Sequence, residues 1–289
     1  MRLLALALAL ILGIVFPYGH GLTFLVRYSV MAMLLFAFLD ITIDRKVIQR
    51  SHIWTSVANL ALPWGIFFLL RPISDLLALT GFVTAILPTA AAAPVLTGFL
   101  KGNVAYVTFS VLLTSCLVGI EIPLSLPFLA EETDSISISE VLIPVLATIM
   151  LPLLAAQGIR RYLPGLHKSL LRIGILSFYL FILNVYIAMS KATWFLTTEM
   201  PEAQQELLGL LATVMGICAF NFGIGAILGG KDNRIGGSMA LGRKNTMFGV
   251  WVCLSFLSPI IAIGPMGYII FQNLLNSLQL MLQKKQERD

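Results

Sequence analysis

The sequence predicts an all-α membrane protein: ten transmembrane helices in two inverted five-helix repeats, with helices four and nine broken and crossing. Three observations lead there. Of 289 residues, 58% are hydrophobic and only 11% charged, with mean hydropathy +0.92, whereas a soluble domain carries about 25% charged residues. Apolar runs of spanning length recur ten times along the chain. Two of those runs are interrupted at corresponding places in the two halves.

The runs fall at about 3–17, 23–43, 53–70, 76–100, 104–129, 140–158, 171–190, 206–229, 236–257 and 260–282. The first, "MRLLALALALILGIVF", has the charge and apolar run of a secretory signal, but "PYGHG" follows it instead of a small-x-small cleavage site. It therefore reads as a retained first helix. No connector exceeds about fifteen residues, which leaves no soluble domain for nucleotide or phosphotransfer chemistry. A Walker motif, an H-E-x-x-H and a G-x-S-x-G are all missing, so the chain reads as no enzyme and no ATP-driven pump.

Charge orients the helices. With ten spans, both termini and the even-numbered connectors share one side. That side collects Arg2, Arg45, Lys46, Arg50, Lys101, Arg160, Arg161, Lys168, Arg172, Lys231, Arg234, Lys284, Lys285 and Arg288, fourteen of the nineteen cations. The opposite side holds Arg27, Arg71 and Lys191, with the acids Asp75, Glu131, Glu132, Asp134, Glu140, Glu199, Glu202 and Glu206. The positive-inside rule then places both termini in the cytoplasm of a cell inner or plasma membrane. The same rule accounts for the +5 net charge, so nucleic acid is not a partner, whereas membrane lipid is. Cys116, Cys218 and Cys253 lie in three separate apolar runs and read as small packing residues. His20, His52 and His167 fall at run boundaries and read as interfacial. No metal or cofactor set emerges.

The interruptions carry the most information. In "GFVTAILPTAAAAPVLTGFLKGN", Pro88 and Pro94 flank a run of small residues, and proline removes a donor and clashes with the preceding turn. In the ninth run, Gly236, Gly237 and Gly242 precede the polar stretch Arg243–Thr246. An ordinary proline kink accounts for the first break alone; a matching break five helices later points to crossed broken helices with a site near the midplane. Two cations at that depth are expensive, about 2.5–3.5 kcal/mol each on insertion scales.

Three stretches carry a family resemblance. "LKGNVAYVTFSVLLTS" (Leu100–Ser115) resembles the segment that follows the fourth helix in the bile acid:sodium symporter family, "GRKNTMFG" (Gly242–Gly249) resembles its ninth-helix motif, and "MAMLLFAFLDIT" (Met31–Thr42) is similar to its second helix. The resemblance implies a single transporter unit over 1–289 with two domains. A panel comprises about 3–43 and 140–190, and a core about 53–129 and 206–282, with symport of organic anions and sodium by alternating access. Laid residue on residue, the family's sodium positions fall at Ala93, Pro94, Ala240 and Lys244, while Asn245 and Thr246 keep the family's amide and hydroxyl.

A carboxylate, a hydroxyl and an amide are thus gone, and an ammonium stands where an amide oxygen was. A cation 3–4 Å from sodium repels it by on the order of 4 kcal/mol at an effective dielectric of about 20, so ordinary sodium coupling is disfavoured. Lys244 can instead replace a sodium ion: it supplies one positive charge and three donors for unwound carbonyls of the fourth helix. A lysine that gives up its proton during the cycle makes a proton-coupled carrier, and one that keeps it makes a uniporter or exchanger. The plainer alternative is a fixed counter-charge.

Arg243, able to hold a carboxylate bidentately, is the first substrate contact expected, with Lys244, Asn245, Thr246, Pro94, Thr97, Asn59 and Asn221 as further binding or coupling residues. Glu121 is a candidate counter-charge, because Ser110, Thr114 and Glu121 share one helical face; the alternative leaves it in water at the outer end. Asp40 and Arg27 read as snorkelling side chains, and Asn184 and Tyr186 as interhelical glue. The leading expectation is a secondary carrier of a small organic anion, bile-acid-like, carboxylate or sulfonate. The alternatives are a cation/proton antiporter using Glu121 and a membrane sensor that binds without transporting.

Overall fold

The computed structural model describes residues 2–39, 47–129 and 137–286. Asp40, Arg45, Lys46, Glu131, Glu132, Asp134 and Arg288 lie outside the described residues. Among the described residues the chain is helical without strands. The helices are α1 (Arg2–Val15), α2 (Phe24–Leu39), α3 (Arg50–Leu70), α4 (Asp75–Ile86), α5 (Ala93–Phe99), α6 (Val104–Leu129), α7 (Ile138–Tyr162), α8 (Pro164–Arg172), α9 (Leu176–Trp194), α10 (Leu207–Leu228), α11 (Arg234–Gly242), α12 (Thr246–Phe256) and α13 (Ile263–Gln286). Five helical stretches are long and apolar enough to cross a membrane by length and composition: Arg50–Leu70, Val104–Leu129, Ile138–Tyr162, Leu176–Glu199 and Leu207–Leu228. They mark a membrane protein.

The fourth expected run is two helices, and prolines decide where. Leu87, next before Pro88, sits at φ −48°, ψ 144°, outside the helical region, as the ring of a following proline requires. Pro94 then occupies the first turn of α5, where its missing N–H has no partner to lose. The ninth expected run is likewise α11 and α12, separated at Arg243, which is extended at φ −88°, ψ 100°. The seventh run was expected from residue 171, but α9 begins at Leu176 because α8 takes up the preceding connector. Pro164 opens that short helix, and none of its residues is buried.

Two compact units divide the chain. One comprises Met1–Asp40, Gly119–Leu210 and Met247–Met266; the other comprises Ile41–Val118, Leu211–Thr246 and Gly267–Asp289. In the first, α2 packs against α7 and α9, and α1 against α9. Arg27 was expected to snorkel. It turns onto α7 instead, donating from Nε to Thr148 Oγ1 (3.2 Å) and from Nη2 to the Pro144 carbonyl (3.4 Å), with its guanidinium 5.8 Å from the Trp251 ring centre. Tyr186 donates to the Phe16 carbonyl (3.2 Å) and Asn184 reaches Met33 Sδ (3.9 Å), each tying α9 to a neighbouring segment. Glu121 belongs to this unit, half-buried on α6.

In the second unit α3 packs along α4, and a buried cluster that includes Ala85, Ala93, Tyr106, Cys218, Phe222, Met239 and Tyr268 forms its core. Helices α10 and α11 meet backbone to backbone. A Cβ on Gly237 would stand 2.6 Å from Gly229 Cα and would also strike the Gly225 carbonyl, so only glycine fits the approach. His52, expected at an interface, is 2% exposed and stacks on Tyr106 at 3.9 Å between ring centres. Its Nε2 lies 3.1 Å from the Tyr106 carbonyl and its Nδ1 accepts from the Gln49 amide (3.0 Å), so it closes the start of α3 onto α6.

Candidate functional site: two unwound strands around Lys244

An interrupted helix leaves backbone N–H and C=O groups without intrahelical partners, and inside a membrane protein each must be satisfied from elsewhere. The breaks after α4 and after α11 supply much of this to each other. Thr89 and Lys244 form an isolated antiparallel bridge. Around it, the Asn245 amide donates to the Pro88 carbonyl (2.8 Å) and the Ala90 amide to the Arg243 carbonyl (2.7 Å).

Side chains satisfy further groups at the breaks. Thr89 Oγ1 donates to the Ala240 carbonyl (2.6 Å), and the Thr89 amide donates to Thr114 Oγ1 (2.9 Å). Tyr268 donates to the Gly242 carbonyl (2.7 Å), and the Lys244 amide donates to Gln272 Oε1 (3.0 Å). Gly242 has no room for a Cβ, which would strike the Phe222 ring. Both breaks and their partners on α3, α6, α10 and α13 belong to the second unit.

Lys244 is 1% exposed. Its Nζ donates to Asn59 Oδ1 at 2.5 Å, and Asn59 Nδ2 donates in turn to the Ile86 carbonyl (3.1 Å), the last residue of α4. The ammonium was expected to bond the unwound carbonyls of helix four directly; it reaches them through one amide instead. Neutral asparagine suits that position because it accepts from the cation and donates to the carbonyl at once, which a carboxylate cannot do.

The site is net positive within its unit. Arg243 lies beside Lys244 and donates from Nη1 to Asn273 Oδ1 (3.0 Å), while its Nε is buried without an acceptor. The unit's carboxylates among the described residues are Asp75 and Asp232, both exposed, and Asp75 pairs with Arg71 at 3.7 Å. No set of metal-ligating side chains exists among the described residues.

The residues singled out from sequence separate into groups. Lys244, Asn245, Arg243 and Asn59 meet at the bridge, and the Thr246 amide closes onto the Lys244 carbonyl (2.9 Å). Thr114 meets it through Thr89, and Asn221 meets it through Tyr268, to which it donates at 3.4 Å. Ala240 contributes only its carbonyl. Ser110 donates to the Tyr106 carbonyl (3.0 Å) on its own helix. Thr97 spends its hydroxyl on the Ala93 carbonyl (2.8 Å), and Pro94 serves the start of α5, so neither joins the Lys244 cluster.

Thr89 and the α13 residues Tyr268, Gln272, Asn273 and Asn276 were not anticipated. For Tyr268, Gln272 and Asn276 the signal was present as a polar residue every fourth position within an apolar helix. No protein-family model matches this chain, and no curated protein sequence is detectably similar to it.

Proposed function

We propose that the chain is a secondary carrier of a small organic anion, built as ten spans in two inverted repeats with both termini cytoplasmic, on the plan of the bile acid:sodium symporter family. In it, Lys244 takes the place of a sodium ion. The observation that carries this reading is the backbone bridge between Thr89 and Lys244, with a fully buried ammonium held by neutral Asn59. Interrupted helices paired at their breaks are the setting in which such carriers bind charge. A resident cation at the break does without the set of oxygen ligands that a sodium ion requires, and it rejects sodium by direct repulsion. Arg243, with its Nε free of an acceptor beside Lys244, gives the site a second positive group suited to a carboxylate or sulfonate.

The test is uptake of a panel of small carboxylates and sulfonates into proteoliposomes, with sodium and pH gradients imposed separately. Accumulation driven by the pH gradient, or exchange without either gradient, agrees with the reading. Uptake that strictly requires sodium overturns the role of Lys244.

A further inference from the structure

A buried ammonium that exchanges its proton or its counter-anion needs a wet route to one face of the membrane. One helix carries the elements of such a route. On α13, Gln272, Asn276 and Gln279 lie within about 60° of arc and span about 10 Å along the axis. Gln272 holds the Lys244 amide. Asn276, one turn further, is 4% exposed, yet both its Oδ1 and its Nδ2 lack a partner. Gln279, the next turn, donates weakly to Ser238 Oγ (3.5 Å), and its buried Oε1 has no donor.

Gln279 and Ser238 also line an open groove of about 310 Å³, walled by Phe222, Ala226 and Ile235, with Arg234 at its edge. Asn273, which holds Arg243, is three residues from Asn276 and hence its neighbour on the helix surface. The titratable and charged groups around Lys244 are Arg243 beside it in the chain, Cys218 of α10 and Tyr268 of α13. Among the described residues, none of these groups is a carboxylate that would hold its proton in place.

A buried amide with neither atom paired is expensive unless water reaches it, and these amides run along α13 from the groove to the Lys244 backbone amide. We infer that the groove continues along α13 as a hydrated path through Gln279 and Asn276 to Gln272 and Lys244. On the carrier reading, this path joins the break at Lys244 to the side that holds Arg234, the cytoplasm. Water in it pairs with the amides that lack partners and brings solvent to the break at Lys244.

Cysteine accessibility tests the path in the full-length chain, in membranes, after Cys116, Cys218 and Cys253 are replaced by alanine. A water-soluble charged thiol reagent should modify Asn276→Cys at least tenfold faster than Leu274→Cys, whose parent side chain is 61% exposed on the outer face of the same helix. Lys244→Cys should also react, and adding Asn276→Leu should slow it about tenfold. If Asn276→Cys does not fold, Gln272→Cys carries the same comparison. A cysteine at 276 or 272 that reacts no faster than one at 274 overturns the path. Labelling needs no uptake. A protein that labels as stated but moves no carboxylate keeps the path and loses the carrier, and one that transports while position 276 stays unreactive does the reverse.

Discussion

Lys244 and Asn59 form a two-step link between the broken helices: the ammonium donates to the amide oxygen, and the amide nitrogen donates to the Ile86 carbonyl. Removing the middle of that chain strands both ends. Asn59→Leu leaves a buried charge without its acceptor and a carbonyl without its donor, and should destabilise the protein by about 3 kcal/mol. Lys244→Met with Asn59→Leu should cost at least about 1 kcal/mol less than the two changes summed. Thermal melting of the four proteins in detergent measures the coupling; additive effects would dissolve the link.

Thr89 ties the bridge to α11 through its hydroxyl. Thr89→Val keeps the shape and removes the bond to the Ala240 carbonyl, for a loss of about 1–2 kcal/mol. Thr89→Ser retains the hydroxyl and should melt close to the parent. Equal losses in the two variants would assign the effect to packing.

Gly237 lets α10 and α11 approach through their backbones. Gly237→Leu should drive the helices apart and cost about 3 kcal/mol or more, seen as lost monodispersity after extraction. Gly216→Ala, on a face of α10 with nothing within 4 Å, should leave the protein intact or stabilise it by up to about 1 kcal/mol.

Much of this arrangement was legible from the residues, and the limits of that reading are physical. Pro88 marks where α4 cannot continue and Pro94 where α5 begins, because proline geometry is local, whereas Gly236, Gly237 and Gly242 lie within α11. The partners at the breaks are not local: Asn59 is one polar residue among several in apolar runs, and nothing nearby in sequence distinguishes it from Asn184. Ala93 and Pro94 drew attention through the resemblance and Thr97 as a further candidate, yet the unwound stretch precedes all three, and the residue that matters there is Thr89. The α13 stripe escaped notice because amides at Gln272, Asn276 and Gln279 leave the run apolar on average. The helix α8 was hidden inside a connector too short to show a period.

Arg243 offers an unpaired Nε beside Lys244. Arg243→Lys keeps the charge but loses the planar fork, so the concentration for half-maximal uptake of a carboxylate should rise about tenfold, consistent with one charged hydrogen bond. Melting temperature should change little. An unchanged concentration dependence would remove Arg243 from the substrate's path.

The replacement of sodium by Lys244 can be examined without knowing the substrate. Melting temperature is measured for the wild-type protein and for Lys244→Gln in sodium chloride and in potassium chloride at equal ionic strength. With the ammonium as resident cation, the wild type melts at the same temperature in both salts, and any gain from sodium is confined to Lys244→Gln, which restores an amide oxygen at the break. A wild-type protein that sodium stabilises would contradict the claim outright.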